Sequence, residues 1–133
     1  MFIFTSYVWG CRHAGLKGQR VTNCVSTIHR NIGRFVNCSH SAEMKTACPL
    51  SDPKCASSPF NVLNYSDDFA GCEASFESAL LSFNSLGSLL SVLGLSESSD
   101  KAEPPTQVLT YLGVEFDTLL LEMRVNKSKL VEL

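Results

Sequence analysis

One stretch of this sequence, residues 76–93, constrains the fold more than any other because its apolar side chains recur every three or four residues. They are Phe76, Leu80, Phe83, Leu86, Leu90 and Leu93. This spacing places them on one face of an α-helix. Gly94 follows at the position where a helix commonly ends. The pattern predicts an amphipathic helix that buries one face against another layer of structure.

A second helix is predicted over residues 14–32. Its apolar positions are Val21, Val25, Ile28 and Ile32. Gly33 stands where a C-terminal stop is expected. The following residues, 34–59, lose all periodicity and collect Ser, Cys, Lys and Pro, which indicates a long loop or an insertion without a core of its own.

Two β-hairpins are predicted in the second half of the chain. Residues 60–65 and 69–72 carry β-forming side chains on either side of an acidic turn, Ser66-Asp67-Asp68. After a polar connection at 96–105, apolar residues alternate from Val108 to Val125, with the break at Asp117-Thr118. Asn126 or Ser128 would cap a final short helix. The order helix, hairpin, helix, hairpin predicts an α+β fold, an antiparallel sheet of two β-hairpins backed by two helices.

Length and composition limit the class of protein. A chain of 133 residues is one domain's worth, and its 44% hydrophobic and 18% charged residues are typical of a globular chain. Residues 1–60 hold seven Lys or Arg against two acids, and residues 61–133 hold four against eleven, so the net charges are +5 and −7.

The start of the chain lacks the features of a secretory signal, and no apolar run is long enough for a bilayer span. We therefore expect an intracellular protein, cytoplasmic or nuclear, with reduced cysteines and no membrane partner.

The acidic turn is the clearest candidate for chemistry. Adjacent carboxylates at a hairpin tip, Asp67 and Asp68, place hard oxygen ligands together, where Mg²⁺ could meet a triphosphate. Asp and Ser also favour turns for purely local reasons. The pattern is therefore compatible both with a metal site and with an ordinary turn.

The order of motifs resembles the reverse transcriptase family, in which a Tyr-x-Asp-Asp hairpin is followed by a helix, a lysine-bearing turn and a Leu-Gly hairpin. Here these motifs correspond to residues 65–68, the helix ending at Gly94, Lys101 and residues 111–114. Upstream, the family's palm has a glycine followed nine positions later by a glutamine at the start of a helix. Gly10 and Gln19 have the same spacing. The amino-acid sequence around the turn, residues 64–71, together with residues 111–117 is most similar to the retrotransposon branch that includes the tyrosine-recombinase, or DIRS-like, elements.

This resemblance implies a partial polymerase palm that performs template-directed DNA synthesis by two-metal nucleotidyl transfer. It implies that Asp67 is the main Mg²⁺ ligand, that Asp68 is the second carboxylate and that Lys101 approaches the nucleotide phosphates. The residues that would contact nucleotide, template or primer end are Gln19, Tyr65, Leu112 and Gly113. The implied partners are an RNA or DNA template-primer and a deoxynucleoside triphosphate.

The resemblance also divides the chain. It implies a partial palm helix region at 1–33, an insertion or disordered loop at 34–59, a palm core at 60–125 and the truncated start of a thumb at 126–133. The family's first catalytic aspartate lies on a strand upstream of the Gly10 region, and we expect this chain to begin too late to contain it. The isolated chain is therefore expected to be inactive.

Two alternatives stay open. The first is a non-catalytic remnant of a retroelement, in which the basic first half binds nucleic acid or a partner and the acidic turn has no role. The second is a small zinc module, because Cys38, His40, Cys48 and Cys55 crowd one segment. Their spacing is poor, since the chain contains no Cys-x-x-Cys pair.

Overall fold

The computed structural model describes residues 1–7, 15–38 and 58–131, which form an α+β fold with two antiparallel sheets. The elements in chain order are β1 (Phe2–Tyr7), α1 (Gly15–Val36), β2 (Val62–Tyr65), β3 (Asp68–Glu73), α2 (Phe76–Val92), β4 (Glu103–Thr106), β5 (Val108–Tyr111), β6 (Val114–Asp117), β7 (Glu122–Val125) and α3 (Lys127–Val131). The predicted α+β class is confirmed. The predicted single sheet of two hairpins is wrong, because the strands divide between a four-stranded and a three-stranded sheet.

The four-stranded sheet has the order β2-β3-β1-β4. The predicted hairpin of β2 and β3 is confirmed, with Val62 opposite Gly71 and Tyr65 opposite Asp68. Strand β1, which the sequence did not predict, pairs antiparallel with β3 and places Phe4 opposite Gly71. A Cβ at Gly71 would overlap the Phe4 ring, so the glycine lets this buried ring lie flat across the neighbouring strand. A central strand of the sheet therefore comes from the first residues of the chain.

Strand β4 lies in the segment that was predicted to be a polar connection. It contains Pro104 and Pro105 and pairs with β1 through an irregular register. Proline cannot donate a ladder hydrogen bond, and it is tolerated on an edge strand because the outer side of that strand needs no donor. The two prolines explain why the segment was not recognised as a strand.

Helix α2 ends where the sequence predicted, and it begins at Phe76, the first residue of the predicted apolar stripe. Ser75 caps the first turn by accepting a hydrogen bond from the Ser78 backbone N–H at 3.2 Å. Gly94 has a φ of +72°. The Leu95 N–H donates to the Leu90 carbonyl at 2.9 Å, which completes a Schellman motif. The predicted stop at Gly94 is confirmed.

Helix α1 continues through Gly33 to Val36, so the predicted stop at Gly33 is wrong. A Cβ at position 33 would overlap the backbone nitrogen of Phe60 and lie 2.7 Å from its ring carbon Cγ. Gly33 therefore permits a close approach between α1 and the chain that enters β2. The predicted loop 34–59 begins inside this helix, and its residues 39–57 lie outside the described part of the chain.

The buried face of α1 also differs from the predicted apolar stripe. Val25 is buried, but Val21 and Ile28 are 44% and 42% exposed. The face that packs inward carries Thr22, Val25, Ser26, His29 and Gly33. Polar side chains occupy this face because the neighbouring strand and helix offer them hydrogen-bond partners.

The core joins both helices to the four-stranded sheet. Its buried apolar side chains are Phe4, Val25, Val62, Phe69, Leu86 and Leu90. His29 is fully buried beside them, stacks on Phe60 with ring centroids 4.9 Å apart, and its Nε2 lies 2.9 Å from the Ser82 carbonyl. Burial lowers the pKa of His29, because the charged imidazolium loses its hydration. The neutral ring therefore serves as a core residue.

The three-stranded sheet is the meander β5-β6-β7. Leu112 and Gly113 form the first turn with φ values of 51° and 81°, the two positive angles that a type I′ turn requires. The prediction that one strand runs through Leu112 is therefore wrong. In the second connection, Asp117 Oδ1 accepts from the Leu119 and Leu120 N–H groups at 3.0 Å, and the bond from Leu120 is the main reason that the pKa of Asp117 is lowered.

The last described element is α3. Asn126 caps it, since its Oδ1 accepts from the Ser128 backbone N–H at 3.2 Å. Of the two predicted caps, Asn126 is the one observed. None of the helices in the described residues is both long enough and apolar enough to span a bilayer.

Gly33 in α1 and Gly87 in α2 provide a matched test of the α1 packing. Gly33→Ala should destabilise the fold by about 1–3 kcal/mol, because the new methyl group overlaps Phe60. Gly87→Ala in α2 meets only Glu97 Oε2, at 3.4 Å, and should stabilise by up to about 1 kcal/mol through helix propensity. Urea unfolding of both variants measures the difference. Equal effects would contradict the close approach of α1 to Phe60.

Candidate functional site

The acidic turn is a tight connection between β2 and β3. Tyr65 pairs with Asp68, so only Ser66 and Asp67 lie between the strands. Ser66 has a φ of 54°, a conformation that residues other than glycine adopt rarely. This backbone has to be held by contacts from elsewhere in the fold.

Helix α1 supplies those contacts. Gln19 Oε1 accepts a hydrogen bond from the Ser66 backbone N–H at 2.7 Å. The fully buried Thr22 donates its hydroxyl proton to the Ser66 carbonyl, also at 2.7 Å. Both backbone polar groups of the strained residue are therefore satisfied by side chains one helical turn apart.

Asn64 extends the same network toward the middle of β2. Its amide nitrogen donates to Asn23 Oδ1 at 2.8 Å and to Thr22 Oγ1 at 3.1 Å, and its carbonyl oxygen accepts from Ser26 Oγ at 2.7 Å. Gln19 also donates to Asn23 at 2.8 Å. These α1 residues, Gln19, Thr22, Asn23 and Ser26, form what we call the turn clamp. Their helical spacing was the sequence signal that could have revealed them.

The two carboxylates at the tip are half-buried. Burial raises the pKa of Asp68, and the neighbouring charge of Asp67 raises it further. The Lys101 ammonium acts in the opposite direction and lowers the pKa of Asp68. Lys101 therefore lies within electrostatic reach of the acidic turn, although more than 30 residues separate them in the sequence.

The strand beside Asp68 carries no acid. Tyr7 of β1 is directly opposite Asp68, and the six residues of β1 are Phe-Ile-Phe-Thr-Ser-Tyr. The resemblance implied that the chain begins too late to contain the family's upstream catalytic aspartate. A strand, β1, does precede Gly10, and its six residues include no aspartate. Within the described residues, no group of three or more His, Cys, Asp or Glu side chains could hold a metal ion.

The β5-β6 hairpin approaches the turn through Tyr111, a residue that sequence reasoning missed. Its hydroxyl group donates to the Asp68 carbonyl at 3.4 Å, and burial together with Asp68 and Tyr7 raises its pKa to about 12. Leu112 and Gly113 form the turn that directly follows Tyr111, and Leu112 is 52% exposed. Tyr65 is 64% exposed at the start of the acidic turn.

An apolar cavity of about 540 Å³ lies between the two sheets. It is lined from one side by Leu63, Ala70 and Cys72 and from the other by Leu109, Tyr111 and Phe116. Among the described residues, no carboxylate lines this cavity, so its chemistry differs from that of the acidic turn. Tyr111 borders both the cavity and the turn.

The structure does not test the zinc alternative. Cys38 is buried. His40, Cys48 and Cys55, like Gly10, lie outside the described residues.

Comparisons of this chain with protein families, with curated proteins and with solved structures found no significant match. The case for a function therefore depends on the residues around the acidic turn.

Two threonines of α1 test the turn clamp. Thr22→Val removes the donor to Ser66 and should destabilise the fold by about 1 kcal/mol, because the Ser66 carbonyl and the Asn64 amide each lose a part-buried hydrogen bond. Thr27 is exposed and bonds within its own helix, to the Asn23 carbonyl, so Thr27→Val should change stability by less than about 0.5 kcal/mol. Thermal or urea unfolding measures both, and an equal loss would contradict the clamp.

Proposed function

We propose that this chain is a reverse transcriptase-like palm fragment whose acidic turn binds Mg²⁺ weakly and does not polymerise DNA on its own. In the parent activity, Asp67 and Asp68 hold the metal, and the partners are a template-primer and a deoxynucleoside triphosphate. Lys101 neutralises phosphate charge or protonates the leaving pyrophosphate.

The observation that carries the proposal is the convergence of distant residues on one turn. Gln19 accepts a hydrogen bond from Ser66 at 2.7 Å, and the Lys101 ammonium lowers the pKa of Asp68. These residues come from three separate stretches of the chain. An acidic turn formed for local reasons alone would need neither a helix clamp nor a lysine from another segment.

The chemistry explains why the activity is incomplete. Two-metal transfer requires carboxylates around two ions about 3.5–4 Å apart, so that both the attacking and the leaving oxygen are stabilised. The neighbouring strand offers Tyr7 where a further carboxylate would face Asp68. Mg²⁺ at this turn would keep most of its shell as water, and its affinity would be low.

Supplying the missing carboxylate tests this reading. The unsubstituted chain should bind Mg²⁺ only in the millimolar range, and Asp67→Asn should remove that binding. Tyr7→Asp should tighten binding by about tenfold, because directly opposite residues have neighbouring side chains and the added carboxylate replaces a water ligand. Chemical shifts of the backbone amides at residues 66–68 follow the titration.

Leu63→Asp is the matched control. Leu63 is 69% exposed and lies on the same sheet face as Asp68, but it is opposite Ala70, two residues after Asp68. The Leu63→Asp substitution therefore adds the same charge without placing it opposite Asp68. Equal affinities of Tyr7→Asp and Leu63→Asp, or tight binding by the unsubstituted chain, would contradict the proposed site.

Primer extension tests the catalytic part. Residues 1–133 should not extend an annealed primer. A chimera with fingers and upstream palm of a related element before Gly10, and a thumb after Leu133, should extend it. In that chimera Asp67→Asn should abolish extension, whereas Lys101→Ala should slow it by about 10² if the lysine is a general acid. A well-folded chimera that is indifferent to Asp67→Asn would refute the metal-ligand role.

A second candidate function is a non-catalytic nucleic-acid-binding remnant. The observation that favours it is the absence of an acid from β1. Binding of single-stranded RNA that falls steeply with salt, with no response to Mg²⁺ or to Asp67→Asn, would support this alternative over the metal site.

A further inference from the structure

Strand β7 is an unpaired edge within the described part of the chain. It follows β6 at the end of the three-stranded order, and all four of its residues, Glu122–Val125, are exposed. An edge strand presents a row of free backbone donors and acceptors, which is a template for pairing with another strand.

The two faces of β7 have opposite character. Met123 and Val125 point to one face and are 73% and 51% exposed. Leu121, in the turn that precedes the strand, has a φ of 55° and is 81% exposed. Glu122 and Arg124 point to the other face. A row of apolar side chains beside an open edge is a feature of interaction surfaces.

Antiparallel pairing of β7 with a second copy of itself has one matched register. When Met123 faces Met123 of the other copy, Glu122 of each copy faces Arg124 of the other. A shift of two residues in one direction places Arg124 opposite Arg124, and a shift in the other places Glu122 opposite Glu122. Directly opposed like charges are destabilising, whereas opposite charges and apolar pairs stabilise the ladder.

The internal ion pairs are compatible with this arrangement. Arg124 contacts Glu115 at 3.2 Å, Asp117 at 2.6 Å and Glu122 at 3.7 Å on its own sheet. Three acids surround this one arginine on the charged face, and its side chain remains 44% exposed. The pairs hold the guanidinium extended along that face, so that Glu122 of a second copy can approach it.

We propose that two copies of this chain associate through β7 in this register, with Met123 on the two-fold axis. The two meanders then form one continuous six-stranded antiparallel sheet. The interface is isologous, because the same strand serves both copies. This proposal does not depend on the acidic turn or on its metal.

Cysteine crosslinking tests the register. In a Met123→Cys variant the two new thiols are directly opposite, at the Cα separation of about 5 Å that a disulfide accepts. In Leu121→Cys and Val125→Cys variants the equivalent Cα atoms lie four residues apart along the strand, about 13 Å, which is too far. Mild oxidation should therefore join two copies of the Met123→Cys variant through position 123 and should give no such bridge in either single control.

The native cysteines are controlled by oxidising the unsubstituted chain in parallel and by mapping every bridge with mass spectrometry. If the Met123→Cys variant and the two single controls formed bridges with equal efficiency, the register would be overturned, since this result would indicate random collision.

Sedimentation equilibrium tests the association itself. The unsubstituted chain should be in a monomer–dimer equilibrium. Met123→Lys should shift it to monomer, because two lysines would oppose each other on the axis. Val92→Lys, at an 83% exposed position at the end of α2, should leave it unchanged. A strictly monomeric unsubstituted chain, or a dimer that both lysine variants affect alike, would overturn the proposal.

Discussion

The hydrogen bonds between α1 and the β2-β3 hairpin are the interaction on which the rest of this structure depends. They are directional, so they set both the rotation of the helix about its axis and its position along the strand. At one end of the contact Thr22 and Gln19 hold Ser66, and at the other Gly33 admits Phe60 against the helix. A helix docked through an apolar face alone could rotate by a fraction of a turn at little cost. This one cannot, because a rotation would leave buried polar groups without partners.

The clamp ties the candidate site to the core. Ser66 keeps its positive φ because two α1 side chains satisfy its backbone, and the same turn carries Asp67 and Asp68. The turn has a defined geometry, but among the described residues few charged side chains surround its carboxylates. The Lys101 ammonium opposes the rise in the pKa of Asp68, while β1 places Tyr7 opposite this residue. The proposed function follows from this combination of a rigid turn with too few carboxylates.

Several elements were predictable because their causes are local. The Ser75 cap and the Schellman motif at Gly94 depend on neighbours within a few residues. The β2-β3 hairpin pairs adjacent segments, although α1 holds its turn. The errors share the opposite cause. Glycine commonly ends a helix, but Gly33 instead allows α1 to contact Phe60, 27 positions away. Strand β1 is a six-residue run whose partners, β3 and β4, lie more than 60 residues further along the chain, so its pairing left no local pattern.

The sequence by itself determined the α+β class, helix α2 and the acidic hairpin, because hydrophobic periodicity and turn chemistry are written into adjacent residues. It also presented the two aspartates, Lys101 and Gln19 of the candidate site, but not Tyr111 or the other residues of the turn clamp. Only the tertiary structure decided which face of α1 is buried, that β1 rather than a second hairpin completes the main sheet, and that Tyr7 faces Asp68. These features depend on hydrogen bonds and close contacts between distant segments. Such contacts have no fixed spacing in the sequence and exist only once the chain has folded.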